Sequence, residues 1–259
     1  MESIHVSEQD IQPHSLWQSI ALHLLPGVLL TIFFVLAVPV VENKGFPAPF
    51  ALVLAILFVL IPFELGVLFY EGKKRNGTFS LRGIVLYQEK IPVWQYFLLV
   101  PALLFWLIIC FSLFTPVDNF LIKTVFSWLP AWFIPSNWLT NIGQYSRTNL
   151  VVVMTLYAIA NVFTGPVVEE LYFRGYLLPR LSHLKGWAPL INTVLFSLYH
   201  FFSPWQQLSR ILGLLPMVYV VAWKRNIYLG LITHCLLNLL STVSIIVMIF
   251  KSLPATTNL

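Results

Sequence analysis

The stretch Val167-Val168-Glu169-Glu170-Leu171-Tyr172-Phe173-Arg174-Gly175 sets two adjacent carboxylates and a guanidinium into a run that is otherwise apolar from Val151 onward. An ionisable side chain at membrane depth costs roughly 2.5 kcal/mol or more, so it generally has a partner or a task. On a helix, Glu170 and Arg174 stand four apart with the carboxylate first, the favourable order for an ion pair. Glu169 projects about 100° round the helix from Glu170, with Phe173 at its own i+4 position. The spacing therefore predicts one glutamate neutralised locally and one left for chemistry. Just upstream, Thr164-Gly165-Pro166 predicts a break, because Pro166 lacks an N–H and clashes with the preceding turn. The bland alternative is a kinked helix with a salt bridge at its cytoplasmic end.

The surroundings of that stretch place it in a membrane. The 259 residues are 58% hydrophobic and only 10% charged, with mean hydropathy +0.82. Soluble domains carry about 25% charged residues, so the composition predicts an all-α, polytopic membrane helix bundle. The net charge of +5 falls in short loops, as the positive-inside rule expects, and carries no nucleic-acid signal. Cys110 and Cys235 lie in apolar runs without metal-ligand spacing. Residues 1–15 are acidic and lack the basic n-region of a cleavable signal peptide.

About 20 apolar residues make a span, and seven spans are expected, near 18–41, 49–71, 92–115, 149–181, 188–203, 207–223 and 227–250. Residues 116–148, aromatic and broken by proline, suit an interfacial segment. The basic loop Lys73-Lys74-Arg75 through Lys90, with Lys224-Arg225, sets the cytoplasmic side and a cytoplasmic N-terminus. Arg210 falls with the outer loops. The chain divides into a tail over 1–17, accessory helices and an interfacial segment over 18–148, a core over 149–250 and a tail over 251–259.

Three polar positions join the glutamates at depth. Phe196-x-x-x-His200 puts an aromatic and a histidine on one face of helix five, and His234-x-x-x-Asn238 does the same on helix seven. Glu169 and His200 lie at nearly equal distances from a turn at Lys185, about 23 Å at 1.5 Å per residue. Taken singly, each histidine is more simply a packing residue; together they bring a carboxylate, two imidazoles and an amide to one layer near the cytoplasmic face. In such a site, between helices four, five and seven, Glu169 could take a proton from water and return it to a leaving amine. His234 and Asn238 could donate to an oxyanion, and His200 could orient the water. Glu169, His200 and His234 could instead hold zinc, although no His-Glu-x-x-His occurs. No Gly-x-Ser-x-Gly is present for serine catalysis.

In order and spacing, Glu169-Glu170-x-x-x-Arg174, Phe196-x-x-x-His200 and His234-x-x-x-Asn238 resemble the signature of the CPBP family, the CAAX-protease and bacteriocin-processing (Abi) intramembrane endopeptidases. The resemblance covers about Val151 to Val247. It implies peptide hydrolysis in the membrane, with Glu169 activating water, His200, His234 and Asn238 completing the site, and Glu170, Arg174 and Phe196 supporting it. It implies a peptide or protein substrate, either lipidated or not, and no required cofactor with zinc left open; the short polar tails lead to the expectation of a bacterial-type cell membrane. The first 150 residues carry no recognised pattern. Two competing readings remain: a proton- or ion-coupled transporter using Glu64 and His23, and a non-catalytic scaffold or immunity partner. Against transport, no inverted repeat relates the two halves.

Overall fold

The computed structural model describes residues 12–252. Among these residues the chain forms helices and no strand. Five helices are long and apolar enough to cross a membrane: α1 (Leu16–Asn43), α2 (Pro49–Asn76), α3 (Val93–Lys123), α4 (Arg147–Leu184) and, as the last element of the bundle, α7 (Ile227–Ser252). Between α4 and α7 lie α5 (Trp187–Leu198) and α6 (Gln207–Lys224). At 12 residues α5 is about 18 Å long, short of the roughly 30 Å hydrocarbon layer. The expected count of seven spans is therefore not reached on length and apolarity, while the integral-membrane, all-helical architecture is.

Several element ends differ from their expected positions for identifiable reasons. Pro166 does not break α4. The helix passes through Gly165–Glu169 and loosens into π-helical turns on either side, over Ile159–Thr164 and Glu170–Leu177. Such wider turns absorb the backbone bond that proline removes. Likewise Pro101 and Pro116 sit inside α3, which runs on to Lys123 instead of ending near 115. The stretch that follows makes short turns at Ala131–Phe133, Pro135–Thr140 and Ile142–Gln144. It folds back onto the bundle: Phe133 is buried, with its ring 5.5 Å from Phe34 and 6.3 Å from Trp205.

Apolar side chains divide between inside and outside according to helix face. Leu30, Leu68, Leu107 and Leu177 fill the centre without exposure. Phe97, Phe105, Leu113 and Phe120 point outward from α3, as lipid-facing residues should when the surrounding solvent is hydrocarbon. Two close approaches fix how the bundle closes. A Cβ on Gly27 of α1 would lie 1.9 Å from the Tyr199 carbonyl oxygen, so only glycine lets α1 cross the end of α5 there. A Cβ on Gly175 would lie 2.6 Å from Val85 Cγ1. The basic loop thus dips inward, buries Ile84 and Val85, and donates from the Leu86 N–H to the Gly175 carbonyl at 2.8 Å.

At the chain's start, His14 is buried against α4. Its N–H donates to the Arg180 carbonyl at 3.1 Å, and its ring meets Tyr176 edge-on at 5.5 Å. Burial, and then the nearby Arg180 guanidinium, lower the His14 pKa to about 4.

Candidate active site

Both glutamates of the opening stretch face inward, Glu169 with 7% exposure and Glu170 with none. Neighbours on a regular α-helix point about 100° apart; here the π-helical turns begin at Glu170. The Glu170 carboxylate lies 3.5 Å from Arg174 Nη1, with both side chains fully buried. Arg174 lays its guanidinium on the Phe196 ring, 3.8 Å from the centroid, a cation–π contact that partly replaces lost hydration. A Cβ on Gly230 of α7 would come within 2.5 Å of Glu170 Oε2, so the absence of a side chain at 230 makes room for this carboxylate.

His234 stands between the two acids. Its Nδ1 is 3.1 Å from Glu170 Oε1 and its Nε2 is 3.7 Å from Glu169 Oε2. A carboxylate engaged by Arg174 can only accept, so His234 Nδ1 carries the proton and Nε2 is turned to Glu169. The separation on the Nε2 side exceeds a direct hydrogen bond. Glu169 Oε1, in contrast, accepts a hydrogen bond from the Tyr199 hydroxyl. One oxygen of Glu169 is therefore fixed by Tyr199 while the other faces the imidazole.

His200 is partly buried, and its Nδ1 is 2.8 Å from the Phe196 carbonyl. A carbonyl only accepts, so Nδ1 donates and Nε2 is left as an acceptor. The ring sits between aromatic neighbours, 4.1 Å from Tyr199 and 5.0 Å from Phe196. The Phe196 ring in turn stands 6.3 Å from that of His234. Asn238 is placed differently. Its amide donates to the Asn161 carbonyl at 2.8 Å, in the π-helical stretch of α4 where backbone acceptors are displaced from their usual partners. Asn161 then donates to Thr242 at 3.2 Å, so this chain of bonds ties α7 to α4.

Tyr199 and Arg210 are absent from the site expected on sequence, and Glu64 enters it only as a transport candidate. Tyr199 lay inside the Phe196–His200 window, but its direction depends on where α5 ends. Glu64 has no exposure, neither oxygen has a hydrogen-bond partner within the protein, and it is close enough to Glu169 and Arg174 to act on both electrostatically. Arg210, placed with the outer loops on sequence, is instead a buried residue in the first turn of α6. His23 has a packing role: its Nδ1 meets the Ser19 carbonyl at 2.7 Å and its Nε2 faces the Asn192 amide at 2.9 Å.

Among the described residues no three His, Cys, Asp or Glu side chains are grouped to hold a metal.

Comparison with known proteins bears on the same segment. No curated protein and no solved structure matches the chain. Residues 151–240 match the family model described as type II CAAX prenyl endopeptidase Rce1-like. That segment holds Glu169, Glu170, Arg174, Phe196, His200, His234 and Asn238 in the order in which the motifs were read. Over residues 151–240 the helical core is therefore similar to type II CAAX prenyl endopeptidases, which agrees with the CPBP, or CAAX-protease, resemblance of the motifs it carries.

Proposed function

We propose that this membrane protein is a glutamate-type intramembrane endopeptidase that hydrolyses a peptide bond near the C-terminus of a membrane-associated, CAAX-like protein or peptide. The observation that carries the reading is the unequal treatment of two adjacent glutamates. Glu170 is locked to Arg174 and to His234 Nδ1, whereas Glu169 keeps one oxygen facing the His234 ring. A buried carboxylate with a free edge beside an imidazole is the arrangement a general base needs.

In the reaction, Glu169 accepts a proton from water as the water oxygen bonds to the scissile carbonyl carbon. The Nε2 acceptor of His200 takes the second hydrogen bond of that water and aligns it. Negative charge collects on the former carbonyl oxygen, where a donor is worth most in a dry cavity: Asn238 supplies one, and His234 supplies a second from Nε2 when its ring takes up a second proton between the two glutamates. The C–N bond then breaks, and Glu169 returns its proton to the departing amine. Tyr199 holds Glu169 in place throughout, and the Glu170–Arg174 pair fixes the tautomer and orientation of His234. The basic residues flanking the site support a position for this chemistry near the cytoplasmic face.

The test is cleavage of a mixed library of apolar and prenylated peptides by the purified protein in lipid, with wild type run beside Glu169→Ala, each with and without a zinc chelator. Cleavage that disappears with Glu169 and ignores the chelator is the expected result. Chelator-sensitive cleavage would move the chemistry to a metal, and cleavage by Glu169→Ala would remove the proposed base. Loss of function in a Glu64 variant would not separate transport from hydrolysis, because Glu64 and Glu169 act on each other electrostatically.

A further inference from the structure

Glu64 of α2 is fully buried, and neither of its oxygens has a hydrogen-bond partner within the protein. The packing of α2 on α4 fixes its level. The two helices run side by side in the same direction. Asn149, at the start of α4, donates to the Gly45 carbonyl just before α2 at 2.7 Å, and Leu86, beyond the end of α2, donates to the Gly175 carbonyl. A Cβ on Gly165 would lie 3.8 Å from Ile56 Cγ2, so these two residues share one level. Counted from that level at 1.5 Å per residue, Glu64 lies about 12 Å on, Glu169 about 6 Å and Arg174 about 13 Å. Glu64 therefore stands between the levels of Glu169 and Arg174. It acts electrostatically on both, and on Tyr172 and Tyr199 as well.

Three acids thus share one buried cluster with the Arg174 guanidinium. Arg174 already meets Glu170 at 3.5 Å, and Tyr199 donates to Glu169. Glu64 has neither a cation of its own nor a donor. A buried carboxylate without a partner is far costlier than a paired one, and the simplest relief is a proton. Where two carboxyls share a site, the one with fewer stabilising contacts keeps the proton. An un-ionised Glu64 has one O–H to donate. Around it, Arg174 Nε, Nη1 and Nη2 and Glu170 Oε2 also have no hydrogen-bond partner within the protein. Such a cluster supplies the roughly two to four polar contacts that a buried bridging water requires.

We infer that Glu64 and Glu169 form a carboxyl pair holding one proton between them through a bound water, with Glu64 the un-ionised member and Glu169 the base. The donation steadies Glu169 without filling it, since a carboxylate offers about four acceptor positions. Glu64 acts through Glu169, so it is a positioning residue, and it comes from a helix outside the segment that matches the family. The part played by Glu169 rests on the endopeptidase reading; the shared proton does not.

Infrared spectra of the purified protein in phosphatidylcholine nanodiscs at neutral pH distinguish a protonated carboxyl, by its C=O stretch, from a carboxylate. The wild-type spectrum minus that of Glu64→Gln should contain a protonated-carboxyl band. In Glu169→Gln that band should move to higher frequency, because a hydrogen-bonded path ending on a neutral amide pulls on the acid less than one ending on an anion. Loss of a carboxylate band in place of the protonated one, or a band that Glu169→Gln leaves unmoved, overturns the inference. Should Glu64→Gln misfold, the shift in Glu169→Gln against wild type still decides. Kinetics test the positioning. Glu64→Leu should lower kcat roughly tenfold to a hundredfold with KM unchanged, and Glu64→Gln, which keeps a neutral donor, should recover most of that loss. An unchanged kcat in folded Glu64→Leu, or a loss that glutamine does not relieve, overturns the positioning role. A protein that shows the shifting band and cleaves no peptide would overturn the endopeptidase reading alone.

Discussion

The two halves of this bundle use polar residues in opposite ways. In α4 to α7, polar side chains converge from three helices and bond to one another across helix boundaries, as His234 does with Glu170 and Tyr199 with Glu169. In α1 to α3, the polar groups are few and are met singly: His23 by Ser19 and Asn192, Asp118 by Ser209. The family match is confined to the first of these halves. Yet the other half is not a spectator. Gly27 lets α1 lie against the Tyr199 backbone, Val85 packs over Gly175, and Glu64 reaches the vicinity of Glu169. The comparison teaches that the motifs supply the candidate reacting groups while the unmatched helices pack against them and help fix where they point.

That division can be broken first at its strongest point. Glu169→Gln keeps the shape of the side chain but removes the base, and peptide turnover should fall by roughly 10²–10⁴-fold, with thermal stability in lipid unchanged. Asn238→Ala comes next. Loss of one oxyanion donor should lower kcat by roughly 10²–10³-fold, and the lost tie to Asn161 should add a stability cost of about 1 kcal/mol, visible as a lower denaturation midpoint.

On the other side of the comparison, Gly27→Val changes no polar group. A side chain pressed into the Tyr199 carbonyl should destabilise the fold by about 1–3 kcal/mol and depress turnover through Tyr199, which activity and melting measured on the same sample would show together. Tyr199→Phe isolates the hydroxyl. Losing a hydrogen bond to a charged acceptor predicts about tenfold slower turnover with unchanged KM. An unchanged rate would mean that Glu169 needs no such restraint.

The smallest effect belongs to the N-terminal contact. His14 is held neutral by burial, with its pKa lowered from 6.5 to about 4. A group depressed in the folded state binds more protons when unfolded, so stability falls as pH drops from 6.5 towards 4 and is level above that window. Replacing His14 with Gln should flatten this slope in melting scans across pH.

How far these features could be read without a structure varies with the kind of information each needs. The ion pair of Glu170 with Arg174 follows from i,i+4 spacing alone, and the shared level of Glu169, His200 and His234 follows from the rise per residue. Tyr199 and Arg210 do not, because their directions are set by the turn between α5 and α6, whose hydrogen bonds come from Ser203 and Gln206. Pro166 misled for a related reason: a proline predicts a break, but flanking π-helical turns let α4 continue. Periodicity could pair Glu170 with Arg174; only helix-to-helix contact could show that Tyr199 and His234 meet Glu169.

The most direct test sets the two glutamates against each other. Glu170→Gln combined with Arg174→Met removes the buried ion pair as a unit, leaves an acceptor for His234 Nδ1, and avoids stranding a lone charge. Turnover of a peptide cleaved by the wild type is measured for this double variant and for Glu169→Gln in the same lipid. The account predicts measurable cleavage by the double variant and essentially none by Glu169→Gln. Cleavage by Glu169→Gln with none by a folded double variant would contradict it and make Glu170 the working carboxylate.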